Sequence, residues 1–123
     1  MSNSDTEKKA FELVKKFLIA TKRVKNESEI TRAKKGSGYD FDLADGSKIE
    51  IKASKQSKFN FGLRLNSKEE INFFVKGGEV FRVLDVFKEP KLYIVKGGEN
   101  YISRKKWATC SVPLDQQGDS IDL

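Results

Sequence analysis

Two alternating runs on either side of one Asp-Gly turn constrain this chain more than any other feature. Tyr39-Asp40-Phe41-Asp42-Leu43 and Ser47-Lys48-Ile49-Glu50-Ile51-Lys52 flank Ala44-Asp45-Gly46. Period-2 alternation about such a turn predicts a β-hairpin. A loop of Asp45-Gly46 alone would set Asp40 opposite Ile51 and mix polar with apolar side chains on both faces. A loop of Ala44-Asp45-Gly46, with Gly46 left-handed, pairs Phe41 with Ile49 instead. Tyr39, Phe41, Leu43, Ile49 and Ile51 then share one face, and Asp40, Asp42, Lys48, Glu50 and Lys52 share the other. A slip of one residue moves every side chain to the wrong face, so the second register is the expected one. It sets Asp40 directly across from Glu50, with Lys52 one pleat along.

Around this hairpin the pattern changes period. Residues 5–22 predict an amphipathic helix capped by Ser4 or Asp5, with Ala10, Phe11, Leu13, Val14, Phe17 and Leu18 in one stripe. Glu7 falls on the row of Phe11, Val14 and Leu18, whereas Glu12 faces outward. Residues 27–33 predict a short strand, and Lys34-Lys35-Gly36-Ser37-Gly38 a basic loop. Phe59 to Leu65 alternates and is expected as a third strand of the same sheet, with Phe59 and Phe61 in the core. Ser67-Lys68-Glu69-Glu70 is a capping box opening a second helix, which Lys76-Gly77-Gly78 ends. Glu79–Phe87 and Lys91–Val95 predict two more strands, and Tyr101–Trp107 a last short element. The expected class is α/β or α+β: a mainly antiparallel meander with a helix inserted, and helices flanking the sheet. Residues 1–108 are expected as one domain and 109–123, with Asp115, Asp119 and Asp122 and no base, as a frayed acidic tail.

Composition removes several chemistries. With 123 residues there is room for one core. No His is present, which excludes Ser-His-Asp and Cys-His catalysis and His-ligated zinc, and the single Cys110 excludes a disulfide framework. No apolar run is long enough for a membrane span, and Met1-Ser2-Asn3-Ser4-Asp5 does not resemble a signal peptide, so a cytoplasmic setting is expected. The formal net charge is +6, and from Lys48 to Lys68 six basic residues accompany one acid, Glu50. That balance favours polyanions as partners. In Arg104-Lys105-Lys106-Trp107, the basic residues are expected on a solvated surface and Trp107 in the core.

The polar face of the hairpin is where chemistry is expected. Cross-strand Cβ atoms lie about 4.5–5.5 Å apart, so two carboxylates there repel unless a positive group sits between them. Hard oxygen ligands suit Mg²⁺ or Mn²⁺. Such an ion lowers the pKa of a bound water and offsets charge on phosphorus, and Lys52 is placed to orient that water.

Asp40, then nine intervening residues, then Glu50-Ile51-Lys52 resembles the PD-(D/E)XK signature of restriction-endonuclease-like nucleases. More narrowly, Gly38-Tyr39-Asp40-Phe41, Lys48 to Ala53 and Leu65-Asn66-Ser67-Lys68-Glu69-Glu70 resemble small domains similar to the C-terminal region of the NO VEIN protein, as do strands 80–86 and 91–95. The resemblance implies a restriction-endonuclease-like core whose central mixed sheet carries the D…ExK hairpin, and a metal-dependent DNA endonuclease. By it, Asp40, Glu50 and Lys52 are catalytic, and Asp40, Glu50, Ile51 and Glu7 are candidate metal ligands. Lys34, Lys35, Lys55, Gln56 and Lys58 would contact DNA, and a homodimer would cut both strands. Two other readings share these residues: an inactive nucleic-acid-binding module of the same fold, and a protein-interaction domain in a defence assembly.

Overall fold

The structure, a computed structural model, describes residues 3–57, 63–65, 67–99, 105–106, 109–112 and 120–123. Helix α1 spans Asn3–Ala20, and strands β1 (Ile30–Arg32), β2 (Phe41–Leu43) and β3 (Lys48–Ala53) follow. Next come β4 (Leu63–Leu65), α2 (Lys68–Val75), β5 (Glu79–Leu84) and β6 (Lys91–Lys96), then β7 (Lys105–Lys106), β8 (Thr109–Val112) and β9 (Ile121–Asp122). The main sheet is mixed, in the order β1-β2-β3-β5-β6-β9, and a smaller sheet has the order β4-β8-β7. Among the described residues no helix is long and apolar enough to cross a membrane.

Helix α1 stops two residues short of the expected end. Lys22 is left-handed at φ 64°, and the N–H groups of Arg23 and Val24 fold back onto the Leu18 carbonyl. That closes the helix without the glycine that usually signals such an end. Ala10, Val14 and Leu18 are fully buried on the sheet, whereas Phe11, Leu13 and Phe17 pack at the margins. The buried row therefore runs through positions 10, 14 and 18. Glu7, expected on a buried row, is an exposed residue beside it.

The main sheet separates two cores. Phe41, Leu43, Ile49, Ile51, Phe81 and Val83 meet α1 on one face. On the other, Val80 and Val95 meet Leu65, Ile71 and Phe74. β3 and β5 run parallel, with Ile49 beside Glu79 and Ala53 beside Val83. Parallel neighbours need a crossover, and the segment carrying β4 and α2 supplies it over the second face. This differs from the expected antiparallel meander: β4 leaves the main sheet and pairs with β8, Leu63 opposite Val112.

Several sequence expectations sit differently in the fold. Residues 27–33 divide into a 3-10 turn, Glu27–Glu29, and strand β1. The segment expected as a frayed tail contributes β8 to the small sheet and β9 to the main one, where Ile121 pairs with Leu92 and Lys91 bonds Asp122 at 2.9 Å. Phe59, Phe61, Arg104 and Trp107 lie outside the described residues.

Candidate functional site

The hairpin has the expected register, with Phe41 opposite Ile49 and Asp42 opposite Lys48, and Gly46 is left-handed at φ 90°. The ladder then breaks sooner than alternation alone implies. The Asp40 N–H donates to the Ile49 carbonyl at 2.8 Å, so two consecutive residues, Asp40 and Phe41, face one. This is a β-bulge, which inserts an unpaired residue and turns the strand. The alternation upstream is reversed. Tyr39, expected on the apolar face, donates its hydroxyl to Asp42 at 3.1 Å on the polar one. Asp40 is not a ladder partner of Glu50. Its carboxylate instead turns onto the Ile51 N–H at 2.8 Å.

The same N–H serves Glu50, whose Oε1 accepts from it at 3.1 Å. Two carboxylates thus converge on one main-chain donor. Glu50 is 7% exposed because it lies beside Val80, which in turn pairs with Val95, in an apolar row covered by α2. Burial, followed by the hydrogen bond and the charge of Asp40, pushes the Glu50 carboxyl up to about 10, against the opposing pull of Lys52. Without a cation, this environment therefore favours the protonated form of Glu50.

Two cations and one further acid complete the cluster. Arg32 on β1 bonds the Asp40 carboxylate at 2.7 Å and the Asp40 carbonyl at 3.2 Å, and it lies over the Phe11 ring at 4.6 Å. Its other nitrogen is 3.7 Å from Glu7. Glu7 is half exposed and reaches the site only through Arg32, as its place at the margin of the buried row dictates. Lys52 is 4.0 Å from Glu50 and in close contact with the Glu70 carboxylate. Glu70 is the third residue of α2, held by the Ser67 cap: its N–H donates to the Ser67 hydroxyl at 3.1 Å, and that hydroxyl donates to its carboxylate at 3.1 Å. Capping therefore aims Glu70 at Lys52.

Arg32 and Glu70 escaped the sequence reading. The capping box was the available signal for Glu70, since it showed where α2 begins; nothing in the pattern of β1 singled out Arg32. Among the expected DNA contacts, Lys34 and Lys35 line an open cleft of about 610 Å³ together with Arg32, Asp40, Glu50 and Glu70. Lys55 is exposed beyond the end of β3, Gln56 accepts from the Asp85 N–H at 2.9 Å, and neither lines this cleft. Lys58 lies outside the described residues.

Gly38 builds one wall. At φ +87° a Cβ on it would stand 2.3 Å from the Glu69 carbonyl oxygen, so the basic loop rests directly on the first turn of α2. Gly36 has φ +89° but open space around it. Gly36→Ala is therefore expected to cost roughly 1–2 kcal/mol, for the left-handed conformation alone. Gly38→Ala should cost clearly more and separate the loop from Glu70. Urea unfolding of the two variants measures the difference, and equal costs would remove the close packing from the account.

The donor set suits a hard divalent cation in chemical type: two carboxylates whose oxygens meet at one N–H. Among the described residues no group of three or more His, Cys, Asp or Glu side chains is arranged to hold a metal ion. The protein would thus offer a cation Asp40 and Glu50, leaving the other positions open. A family model described as protein NO VEIN, C-terminal, matches residues 6–95, from the first turns of α1 to the end of β6. No curated protein and no solved structure matches the chain. The chain belongs to the family of the protein NO VEIN C-terminal domain.

Proposed function

We propose that this member of the protein NO VEIN C-terminal family is a Mg²⁺- or Mn²⁺-dependent phosphodiesterase acting on DNA, with a restriction-endonuclease-like core and a PD-(D/E)XK-type centre. The observation that carries the reading is the convergence of Asp40 and Glu50 on the Ile51 N–H, beside Lys52, in a cleft edged by Lys34 and Lys35. Asp40 and Glu50 would hold the ion, which when bound supplies Lewis-acid polarisation of a phosphoryl oxygen and a water acidic enough to attack.

The chain's own groups account for the rest. Ile51 donates its N–H to both carboxylates and fixes their spacing. Lys52, anchored by Glu70, presents an ammonium beside Glu50 that orients the attacking water and offsets developing negative charge. Lys34 and Lys35 neutralise phosphates at the mouth of the cleft. No histidine is needed for any of these roles.

One observation favours a second reading, a nucleic-acid-binding module that does not cut. Arg32 pairs with Asp40 and Lys52 with Glu70, so two of the acids are already matched by protein cations. Incubating the protein with plasmid, linear, branched and single-stranded DNA, in Mg²⁺ or Mn²⁺ and in chelator, separates the two. Metal-dependent cutting that disappears in Glu50→Gln supports the phosphodiesterase. Salt-sensitive binding without cutting supports the module. The absence of both would leave a protein-interaction domain.

A further inference from the structure

A second cleft, of about 470 Å³, adjoins the candidate site at the other end of β3. Lys48, Lys76 and Lys96 line it, together with Phe73, Gly78 and Glu79. These cations come from three different elements: the hairpin, the C-terminal cap of α2 and the end of β6. Their convergence is therefore a product of the tertiary fold.

The carboxylates at this cleft are already matched. Glu79 takes two hydrogen bonds from Arg23, at 2.9 and 3.1 Å, and Asp42 is 3.4 Å from Lys48. Among the described residues neither Lys76 nor Lys96 pairs with a carboxylate, and both are exposed. With Asp42 matching Lys48 and Arg23 matching Glu79, the surplus positive charge of the cleft rests on Lys76 and Lys96.

The partition between the two clefts is a packed aromatic pair. Tyr39 lines the first and Phe73 the second, and their rings stack with centroids 5.2 Å apart. Gly78 lies against Phe73 so closely that a Cβ would meet the ring at 2.4 Å. Phe73 is thus packed between Tyr39 and Gly78, which favours charge recognition over base stacking. Lys48 lies two residues before Glu50, so both project to the same side of β3, roughly 7 Å apart. That distance is on the scale of one nucleotide step along a strand.

We propose that the cleft of Lys48, Lys76 and Lys96 binds the phosphodiester backbone of a nucleic-acid strand, holding the phosphates next to the one that lies at Asp40 and Glu50. The proposal rests on the phosphodiesterase reading for its substrate. The chemistry of the cleft is recognition of consecutive phosphates without reading bases, so the affinity it contributes is sequence-independent and salt-sensitive.

The test is fluorescence anisotropy with a labelled oligonucleotide, single-stranded in one arm and duplex in the other, in chelator so that nothing is cut. Lys76→Ala/Lys96→Ala is compared with wild type and with Lys16→Ala/Lys88→Ala, which removes the same charge from exposed positions outside both clefts. Thermal melting checks that all three are folded. The Lys76/Lys96 variant should bind about tenfold more weakly at low salt. Its plot of log affinity against log salt should be shallower by about 1.8 for the duplex or about 1.4 for the single strand. The control pair should change little, and the arm showing the larger loss identifies the form of strand held. Equal effects of the two pairs, or unchanged binding in both arms, would overturn the proposal. Were wild type to cut while the Lys76/Lys96 variant bound and cut normally, the phosphodiesterase would stand without this cleft. Were binding to depend on these lysines with no cutting, the cleft would stand without the catalysis.

Discussion

Glu50→Gln is expected to lower metal-dependent cleavage on the order of 10²–10³-fold, as the loss of a positioned electrostatic group in a water-poor site does, without unfolding the protein. The substitution is close to isosteric. The amide oxygen can still accept from the Ile51 N–H, the bond Glu50 makes at 3.1 Å. Glutamine is also a near match to the protonated form of the side chain, which burial favours when no cation is bound. What the variant cannot do is become an anion when a divalent cation arrives. Cleavage rates over a range of Mg²⁺ concentrations, with a thermal melt in chelator, measure both halves of the expectation. Lys52→Met, which keeps the apolar stem, should lose cutting by at least about 100-fold, but should also destabilise the fold because it strips Glu70 of its ammonium partner. Cutting that survives in Glu50→Gln would sink the metal-site reading.

Stability should fall as pH rises, and Glu50 should be a principal cause. The carboxyl has its ordinary value of 4.5 in the unfolded chain and is pushed up to about 10 in the folded protein. Between those values the folded state holds a proton that the unfolded state has released. Because the unfolded state binds fewer protons there, the free energy of unfolding decreases with increasing pH. A single proton sets the ceiling at about 1.4 kcal/mol per pH unit. The favourable contribution is intact below the ordinary carboxyl range and is lost progressively up to the folded value. Urea unfolding in chelator at several pH values between about 6 and about 9, on wild type and Glu50→Gln, reads the titration of Glu50 together with its coupling to Asp40, Lys52 and Glu70. The wild-type curve should slope downward relative to the variant. Parallel curves would mean that Glu50 is ionised in the folded protein despite its burial in the Val80 row.

Those two expectations draw on different levels of information. That Asp40, Glu50 and Lys52 lie close together was legible in the sequence, because alternation about Ala44-Asp45-Gly46 admits one register that keeps Phe41, Leu43, Ile49 and Ile51 on a common face. Neither the burial of Glu50 nor the turn of Asp40 onto the Ile51 N–H was legible. Alternation places Glu50 on the polar side of its own strand but says nothing of what covers that side. The cover is α2, carried there by a parallel crossover, and the row into which it seals Glu50 includes Val80 and Val95. The bulge at Asp40 and Phe41 was equally hidden, since inserting one residue into a ladder leaves no mark on composition.

Local chemistry therefore settled what is near in the chain: the hairpin register, the left-handed Gly46, the capping box that begins α2 and the apolar stripe of α1. Each depends on interactions within a few residues, which a linear pattern records. Only the tertiary structure decided which side of the sheet α2 covers, that β4 joins β8, that Arg32 comes to Asp40 and Glu70 to Lys52, and that Lys48, Lys76 and Lys96 meet around one cleft. Apart from Arg32 and Asp40, which are neighbours across β1 and the start of β2, those pairings join residues far apart in the chain, and their geometry is set by packing two cores against one sheet. Desolvation, which pushes the Glu50 carboxyl toward its protonated form, exists only once that packing has excluded the water.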